Sequence, residues 1–474
     1  MHAVARRFAL PAAILAAAAI IHGCGDDTTP AQPDNGQYGS LLNADEFANS
    51  PQALPVAALR DPPDSPPLPP ALTLKNLPAI AQQGTWPNSN GAPGTCEAQS
   101  FGYGLGSYTA ARAPDGSIKW DPAQPGNQVS AAFEFAVAIN NGYASCPGGS
   151  QATPHLSRLA SFGSPSASEV PYEPRCDYFY GLNVNKAYPD AQRLRIGSFA
   201  TFTIKNNAAT NAATISRIQE YLANQQAVAF SGSVYAGYGK ASGPPLTDGY
   251  FYADGLTSSG GHGQLLVGYD MNAGAKNKTP GMLLVQNSFG NLWPDQESKA
   301  PKGMLYWSYE TFLNNQSFAA VAYPYDPSPP KGALLTASDP KAPVAAVERA
   351  FQWSPNLEDG TTWLILWHHI AEPIRITSIA LTEPGSVQAV AIGKYGQYIS
   401  SGYTYLRRVD AMQFLPGNYT LKMQALTLDG TAVQYTGVVT VGGARPASPP
   451  SASMKNADNN RIYDTLGQTA TVSP

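Results

Sequence analysis

Three side chains set far apart in the sequence carry the types needed for nucleophilic catalysis: Cys96, His262 and Asn287. Cys96 follows the Gly- and Pro-rich turn Asn90-Gly91-Ala92-Pro93-Gly94-Thr95 and opens a predicted helix in which Ala98, Phe101, Leu105 and Tyr108 recur on one face. Thr95 is the expected N-cap, and the positive end of a helix favours thiolate over thiol at its first turn. His262 stands just ahead of the predicted strand Gln264–Tyr269, and Asn287 ends the predicted strand Met282–Gln286. If the polar loop Asp270–Gly281 closes these strands into an antiparallel hairpin, the imidazole and the carboxamide share one end of the sheet. A thiol activated by an imidazole, whose tautomer a third polar group fixes, is a nucleophile–base–orienter arrangement. The other histidines fit less well. His155 falls in a predicted helix, where a surface or capping role is expected, and His368 and His369 read as ordinary strand residues.

Elements of two kinds must position these groups. Helices are predicted at Val129–Gly142, Thr153–Phe162 and Ala212–Gln225, followed by strands at Ala227–Tyr235, Gln264–Tyr269, Met282–Gln286 and Met304–Ser308. Helices first and strands afterwards imply an α+β domain with the two parts side by side and a cleft between them. This domain is expected over 72–327. A linker at 328–342 leads to a second module at 343–443, whose segments Thr362–Trp367, Arg375–Leu381, Val387–Ile392, Tyr419–Ala425 and Val433–Val441 alternate at strand spacing. An immunoglobulin-like β-sandwich is the expected form, with a disordered tail at 444–474.

With 474 residues, a net charge of −4 and only 13% charged side chains, the chain has no basic surface for nucleic acid. Its amino terminus reads as an export signal, residues 1–23, in which Arg6 and Arg7 precede the apolar run Phe8–Ile21, itself too short for a permanent span. Ile21-His22-Gly23-Cys24 resembles a bacterial lipobox, with Cys24 as the lipidated first residue. Export would remove His2 and His22. Residues 24–71, rich in Asp, Asn and Pro, read as an extended tether with little room for a folded inhibitory prosegment. These features place the chain in the bacterial cell envelope, held to a membrane through Cys24 and facing the periplasm or exterior. A monomer without cofactor is expected: no metal cluster or phosphate-cradling glycine loop stands out.

From about Leu77 to Tyr325 the chain resembles the papain family of cysteine peptidases. The resemblance is carried in order by Gly94-Thr95-Cys96 with Ala98 and Phe101, Cys146-Pro147-Gly148-Gly149, Glu169-Val170-Pro171-Tyr172, Gly261-His262-Gly263 through Tyr269, and Asn287-Ser288-Phe289-Gly290-Asn291-Leu292-Trp293. It implies a two-lobed fold in which Cys96 is the nucleophile, His262 the base and then the acid, and Asn287 the orienting group. Gly148 and Gly149 would border the substrate groove, and the substrate would be a polypeptide. The oxyanion would be held by the Cys96 backbone N–H and a side-chain amide, either Gln83 or Asn90. The lead-in Leu77–Gly84 favours Gln83, while counting six residues back from Cys96 gives Asn90.

Three departures follow from the same comparison. Glu97 replaces a tryptophan and puts a carboxylate beside the nucleophile, which opposes thiolate formation. Phe289 replaces a tryptophan that shields the His–Asn hydrogen bond. Pro93 stands where the family has a disulfide cysteine, which leaves Cys146 to pair with Cys176. Two functions are therefore expected as alternatives: an extracytoplasmic thiol endopeptidase, or a papain-like surface lipoprotein of weak or absent activity that acts in binding or adhesion.

Overall fold

The computed structural model describes residues 40–41, 67–84, 93–187, 191, 193–240, 242–315, 318–325, 332–355, 362–385, 389–393, 398–408, 416–442, 463–464 and 469–473. The expected signal, Cys24, Asn90 and nearly all of the expected tail lie outside the described residues. Among the described residues no helix is long and apolar enough to cross a membrane.

The first helix, α1, runs over 96–110 and is central to its domain. Its Ala98–Gly106 portion is a π-helix rather than the α-helix its spacing predicts, and all nine of those residues are buried. Three glycines let neighbours close on it. A Cβ on Gly102 would lie 2.9 Å from Glu134 Cγ, one on Gly106 2.7 Å from Leu159 Cδ1, and one on Gly104 3.4 Å from Leu265 Cδ2. Two helices and a sheet thus pack against α1, which explains why it is buried all round although it carries Glu97, Gln99 and Ser100. Helix α2, Ala131–Asn140, starts where Ser130 Oγ accepts from Phe133 N at 3.1 Å, with Glu134 in the first turn. Helices α3 (Thr153–Ser161), α4 (Cys176–Gly181) and α5 (Asn211–Ala223) follow.

The sheet of this domain uses β1 (Ala71–Thr73), β2 (Ile196–Thr203), β3 (Val228–Tyr235), β4 (Ser258–Asp270), β5 (Met282–Gln286), β6 (Met304–Ser308) and β7 (Phe318–Pro324). Their order is β2-β7-β3-β4-β5-β6, with β1 paired to β4 and two two-residue strands beyond β6. The β4–β5 pair is antiparallel, with Leu265 opposite Gln286 and Asp270 opposite Met282, so the expected hairpin forms. Every residue of β5 is buried, as its unbroken Met-Leu-Leu-Val-Gln run requires. The result is a mixed α+β domain.

A separate apolar core holds the second module together, built on Ile370, Ile374, Ile376, Ile379, Leu421, Met423, Tyr435 and Val439. Its main strands are β8 (Ala345–Pro355), β9 (Thr362–Thr382), β10 (Ala389–Gly393), β11 (Tyr398–Arg408), β12 (Gly417–Leu426) and β13 (Ala432–Gly442). The two strands expected at Thr362–Trp367 and Arg375–Leu381 are one. Pro373, which has no N–H to give a ladder, lies where the β9–β11 register shifts between His369 and Ile374. Among the described residues, the strands of this module form one hydrogen-bonded network threaded through β9. The modules meet where Tyr325 donates to Ala371 O at 3.3 Å and the Arg195 guanidinium lies 4.5 Å over the Tyr325 ring.

Within the extended tether expected over 24–71, the described residues Ser40, Leu41, Pro70 and Ala71 are held to the α+β domain, the last two where Met271 N donates to Pro70 O at 2.8 Å and Ala71 pairs with Asp270. Ser40 is 1% exposed and pairs with Ser150 in an isolated bridge, and Leu41 N donates to Ser150 O at 3.0 Å. Backbone hydrogen bonds fix Ser40 and Leu41 against the α+β domain, and Ser40 is buried there.

Candidate active site

Cys96 lies at the first residue of α1, is fully buried, and is the one cysteine among the described residues that is not in a disulfide. The Thr95 hydroxyl does not cap the helix as expected. It is 2.6 Å from Tyr172 Oη, which itself donates to Gln83 O at 2.7 Å, so Thr95 is the donor to Tyr172. Burial raises the Tyr172 pKa, which keeps that hydroxyl protonated and able to tie the cysteine turn to Gln83.

Strand β4 brings His262 to the same place. Gly263, the next residue, has no side chain because none fits: a Cβ there would meet Ser100 Oγ at 2.4 Å, Glu97 Oε2 at 2.9 Å and Cys96 O at 3.0 Å. The start of α1 and the histidine segment of β4 are therefore in direct contact. His262 Nε2 is 2.8 Å from Asn287 Oδ1, and the same oxygen accepts from Ser288 N at 2.7 Å. A backbone N–H can only donate, so Oδ1 is correctly placed as the acceptor and the proton of a neutral His262 is on Nε2. That leaves Nδ1 with the lone pair a base needs. Burial lowers the His262 pKa to about 4, with the Asn287 hydrogen bond acting in the opposite direction, so the imidazole is neutral near pH 7.

Phe289 stacks on the imidazole, ring centroids 4.9 Å apart and planes 23° apart, and Trp293 closes edge-on against Phe289 at 5.5 Å. Water is thereby kept from the His262–Asn287 bond by a phenyl ring. Tyr238 packs on His262 at 6.2 Å and hydrogen-bonds Gln264 Oε1; no sequence pattern singled it out.

Gln83, fully buried, bridges the other two segments. Its Nε2 donates to Pro93 O at 3.3 Å, its Oε1 accepts from Ser288 Oγ at 2.9 Å, and its backbone N–H donates to Ser288 O at 2.7 Å. An amide is thus held between the cysteine turn and the asparagine segment. Gly148 and Gly149 adjoin the same turn, since Gly94 N donates to Pro147 O at 2.9 Å. Gly149 has φ 117°, a conformation glycine tolerates. Cys146 and Cys176 form a disulfide that joins this segment to α4.

Two arrangements escaped the sequence reading. Glu97 is fully buried and accepts from Ser231 Oγ at 2.6 Å, so its carboxylate is turned to β3. His155 is not on the surface: it is 1% exposed, with Nε2 3.0 Å from Ser150 Oγ and Nδ1 3.7 Å from Glu134 Oε2. Glu134 also pairs with Arg158. Burial lowers the His155 pKa to about 3, so it is a neutral link between Ser150 and the Glu134–Arg158 pair. The i,i+3 spacing of His155 and Arg158 in α3 puts them on one face and could have marked them as a pair, but no sequence signal places Glu134 opposite them.

No family model matches this chain, and no curated protein does. Among solved structures it is similar to xylellain, a cysteine protease from Xylella fastidiosa, at 18% identity over 61% of this chain and 97% of that one, with a TM-score of 0.42. It is also similar to procathepsin B S9 from Trypanosoma congolense, at 14% identity over 61% of this chain and 87% of that one, with a TM-score of 0.42. A third similarity is to digestive procathepsin L 3 of Tenebrio molitor larval midgut, at 14% identity over 58% and 77%, with a TM-score of 0.33.

Proposed function

We propose that this chain is a thiol endopeptidase of papain-like type. What supports it most is the doubly anchored Asn287 Oδ1, which leaves His262 Nδ1 as the basic nitrogen on a strand in contact with the Cys96 turn. In this reading Nδ1 takes the Cys96 proton and the sulfur attacks the peptide carbonyl carbon. The carbonyl electron pair becomes an oxyanion, held by the Cys96 N–H and the Gln83 amide. Collapse expels the amine, which takes its proton from Nδ1, and leaves a thioester on Cys96. Water then gives a proton to Nδ1 and attacks the thioester, releasing the acid and restoring the thiol. Gly148 and Gly149 border the groove that receives the polypeptide.

The location belongs to the same proposal: an export signal over 1–23 and lipidation of Cys24 would hold a monomeric enzyme at a bacterial membrane, outside the cytoplasm. The immunoglobulin-like order of the second module is likewise proposed. One observation favours the alternative of a binding lipoprotein: Cys96 has no exposed surface. Incubating the full chain with a denatured protein pool under mild reduction, and mapping new amino termini by mass spectrometry, tests the choice. Cleavage by the wild type and none by Cys96→Ala is expected; equal absence of cleavage from both would favour binding.

A further inference from the structure

The segment that carries Gly148 and Gly149 is short and has to be held from outside. Its strands, Ala144–Ser145 and Gly149–Ser150, are two residues each and form a sheet of their own, Ser145 opposite Gly149 and Ala144 opposite Ser150. A ribbon of that size is not stable by itself in water. Its turn is fixed by the Cys146–Cys176 disulfide and by Gly94 N, which donates to Pro147 O. Its far end is fixed by side chains from two helices. Ser150 Oγ is 3.0 Å from His155 Nε2, His155 Nδ1 is 3.7 Å from Glu134 Oε2, and Glu134 pairs with Arg158. A carboxylate only accepts, so the ring nitrogen facing it carries the proton of the neutral imidazole and Ser150 donates to Nε2. Arg158 also donates to Gly163 O at 2.8 Å and lies 4.9 Å over the Phe133 ring.

Glu134 reaches this place across α1, where a Cβ on Gly102 would meet its Cγ at 2.9 Å. One end of the row thus rests on the helix that opens with Cys96, and the other on the residue after Gly149. Serine, histidine and glutamate in this order could suggest a second nucleophile, but Ser150, His155 and Glu134 are 0%, 1% and 0% exposed, so no substrate reaches them. Stability alone does not account for them either. Desolvating ionic groups is costly, and well-packed apolar side chains of the same volume often serve a core as well or better. What the polar row adds is direction: an imidazole set between a hydroxyl and a carboxylate has one orientation, and the ribbon bonded to it has one position.

We propose that His155 and Glu134 are positioning residues for the Gly148–Ser150 segment, and that through the Ser150 hydroxyl they set its place relative to the helix that opens with Cys96. That this placement serves the binding of a polypeptide rests on the peptidase reading; the placement itself does not.

Amide hydrogen exchange of the full-length chain, read by mass spectrometry on the fragment spanning 143–151, tests it in wild type, Ser150→Ala, His155→Leu and His155→Gln. Loss of one hydrogen bond should speed exchange there roughly 2- to 10-fold in Ser150→Ala and His155→Leu, with Met282–Gln286 unchanged. Glutamine keeps an acceptor for Ser150, so His155→Gln should stay within about twofold of wild type. Hydrolysis of dye-quenched casein, run in parallel, should show the apparent KM rising roughly 2- to 10-fold in the first two variants with kcat held within about threefold, the mark of lost substrate binding rather than lost chemistry. Equal exchange in all four proteins, an equal rise at Met282–Gln286, or a His155→Gln as fast as His155→Leu overturns the positioning role whatever the kinetics. Local exchange with KM unmoved overturns only its service to the substrate. A wild type that cleaves nothing overturns the peptidase reading, and exchange still decides the placement. Thermal melting identifies any variant that has not folded, and Ser150→Ala, the smallest change, then decides.

Discussion

Gly263→Ala puts the juxtaposition of Cys96 and His262 under direct strain. The added methyl would lie 2.4 Å from Ser100 Oγ, 2.9 Å from Glu97 Oε2 and 3.0 Å from Cys96 O. Ser100 can rotate, but only by giving up its 2.8 Å hydrogen bond to Cys96 O, and the Cys96 carbonyl cannot retreat without the start of α1. Ordinary contact requires α1 and β4 to separate by about 0.5 Å, and such overpacking costs about 1–3 kcal/mol. The larger effect is on catalysis, because a displacement near 1 Å can cost about 100-fold in rate. Peptide hydrolysis (kcat/KM) and thermal melting should be measured beside Gly181→Ala, where a Cβ meets nothing within 4 Å. We expect Gly263→Ala to lose roughly 10- to 100-fold in kcat/KM while remaining folded, with Gly181→Ala unchanged. Wild-type kinetics in Gly263→Ala would refute the claim that this contact sets the sulfur–imidazole geometry.

Asn287→Ala removes the acceptor of His262 Nε2–H in a buried site, a loss of about 1–3 kcal/mol that should lower kcat/KM roughly 5- to 150-fold in steady-state assays. His262, His155 and His368 have pKa values lowered to about 4, 3 and 3 by burial, so the unfolded chain takes up protons near pH 6.5 that the native one refuses. The stability they allow is present above about pH 6.5 and is lost as pH falls towards those native values, by about 1.4 kcal/mol per pH unit for each histidine. Denaturant titrations from pH 7 to 4.5 should show that slope, and His155→Gln should reduce it by about one proton. Replacing Cys146 and Cys176 together by serine opens a crosslink of sequence separation 30 and should cost about 3–4 kcal/mol in denaturant melts of the oxidised protein.

Much of the site was legible because its chemistry is local in type even where it is distant in sequence. The hairpin that brings His262 towards Asn287 follows from two apolar runs and a polar loop, and it forms with Leu265 opposite Gln286. The π-helical turn of Ala98–Gly106 was not legible, since its glycines serve contacts with Glu134, Leu159 and Leu265 that only the folded chain creates. Strands β2 and β7 were missed for a related reason. Ile196-Gly-Ser-Phe-Ala-Thr-Phe-Thr203 and Phe318–Pro324 have few large β-branched residues and gain their pairing from each other. Glu97 showed the limit of reading charge from position: beside the nucleophile in sequence, it is bound to Ser231 on β3 in space. Ser40 could not be read at all, because two backbone hydrogen bonds leave no mark on composition.

The most direct test of the thiol chemistry is the rate at which an irreversible thiol-protease inhibitor forms an adduct on Cys96 in the folded full-length protein, mapped to the residue by mass spectrometry. Wild type should be labelled at Cys96, with no label at this position in Cys96→Ala and a rate at least about 100-fold lower in His262→Ala. A Cys96 that reacts no faster with His262 than without it would contradict the assignment of His262 as its base.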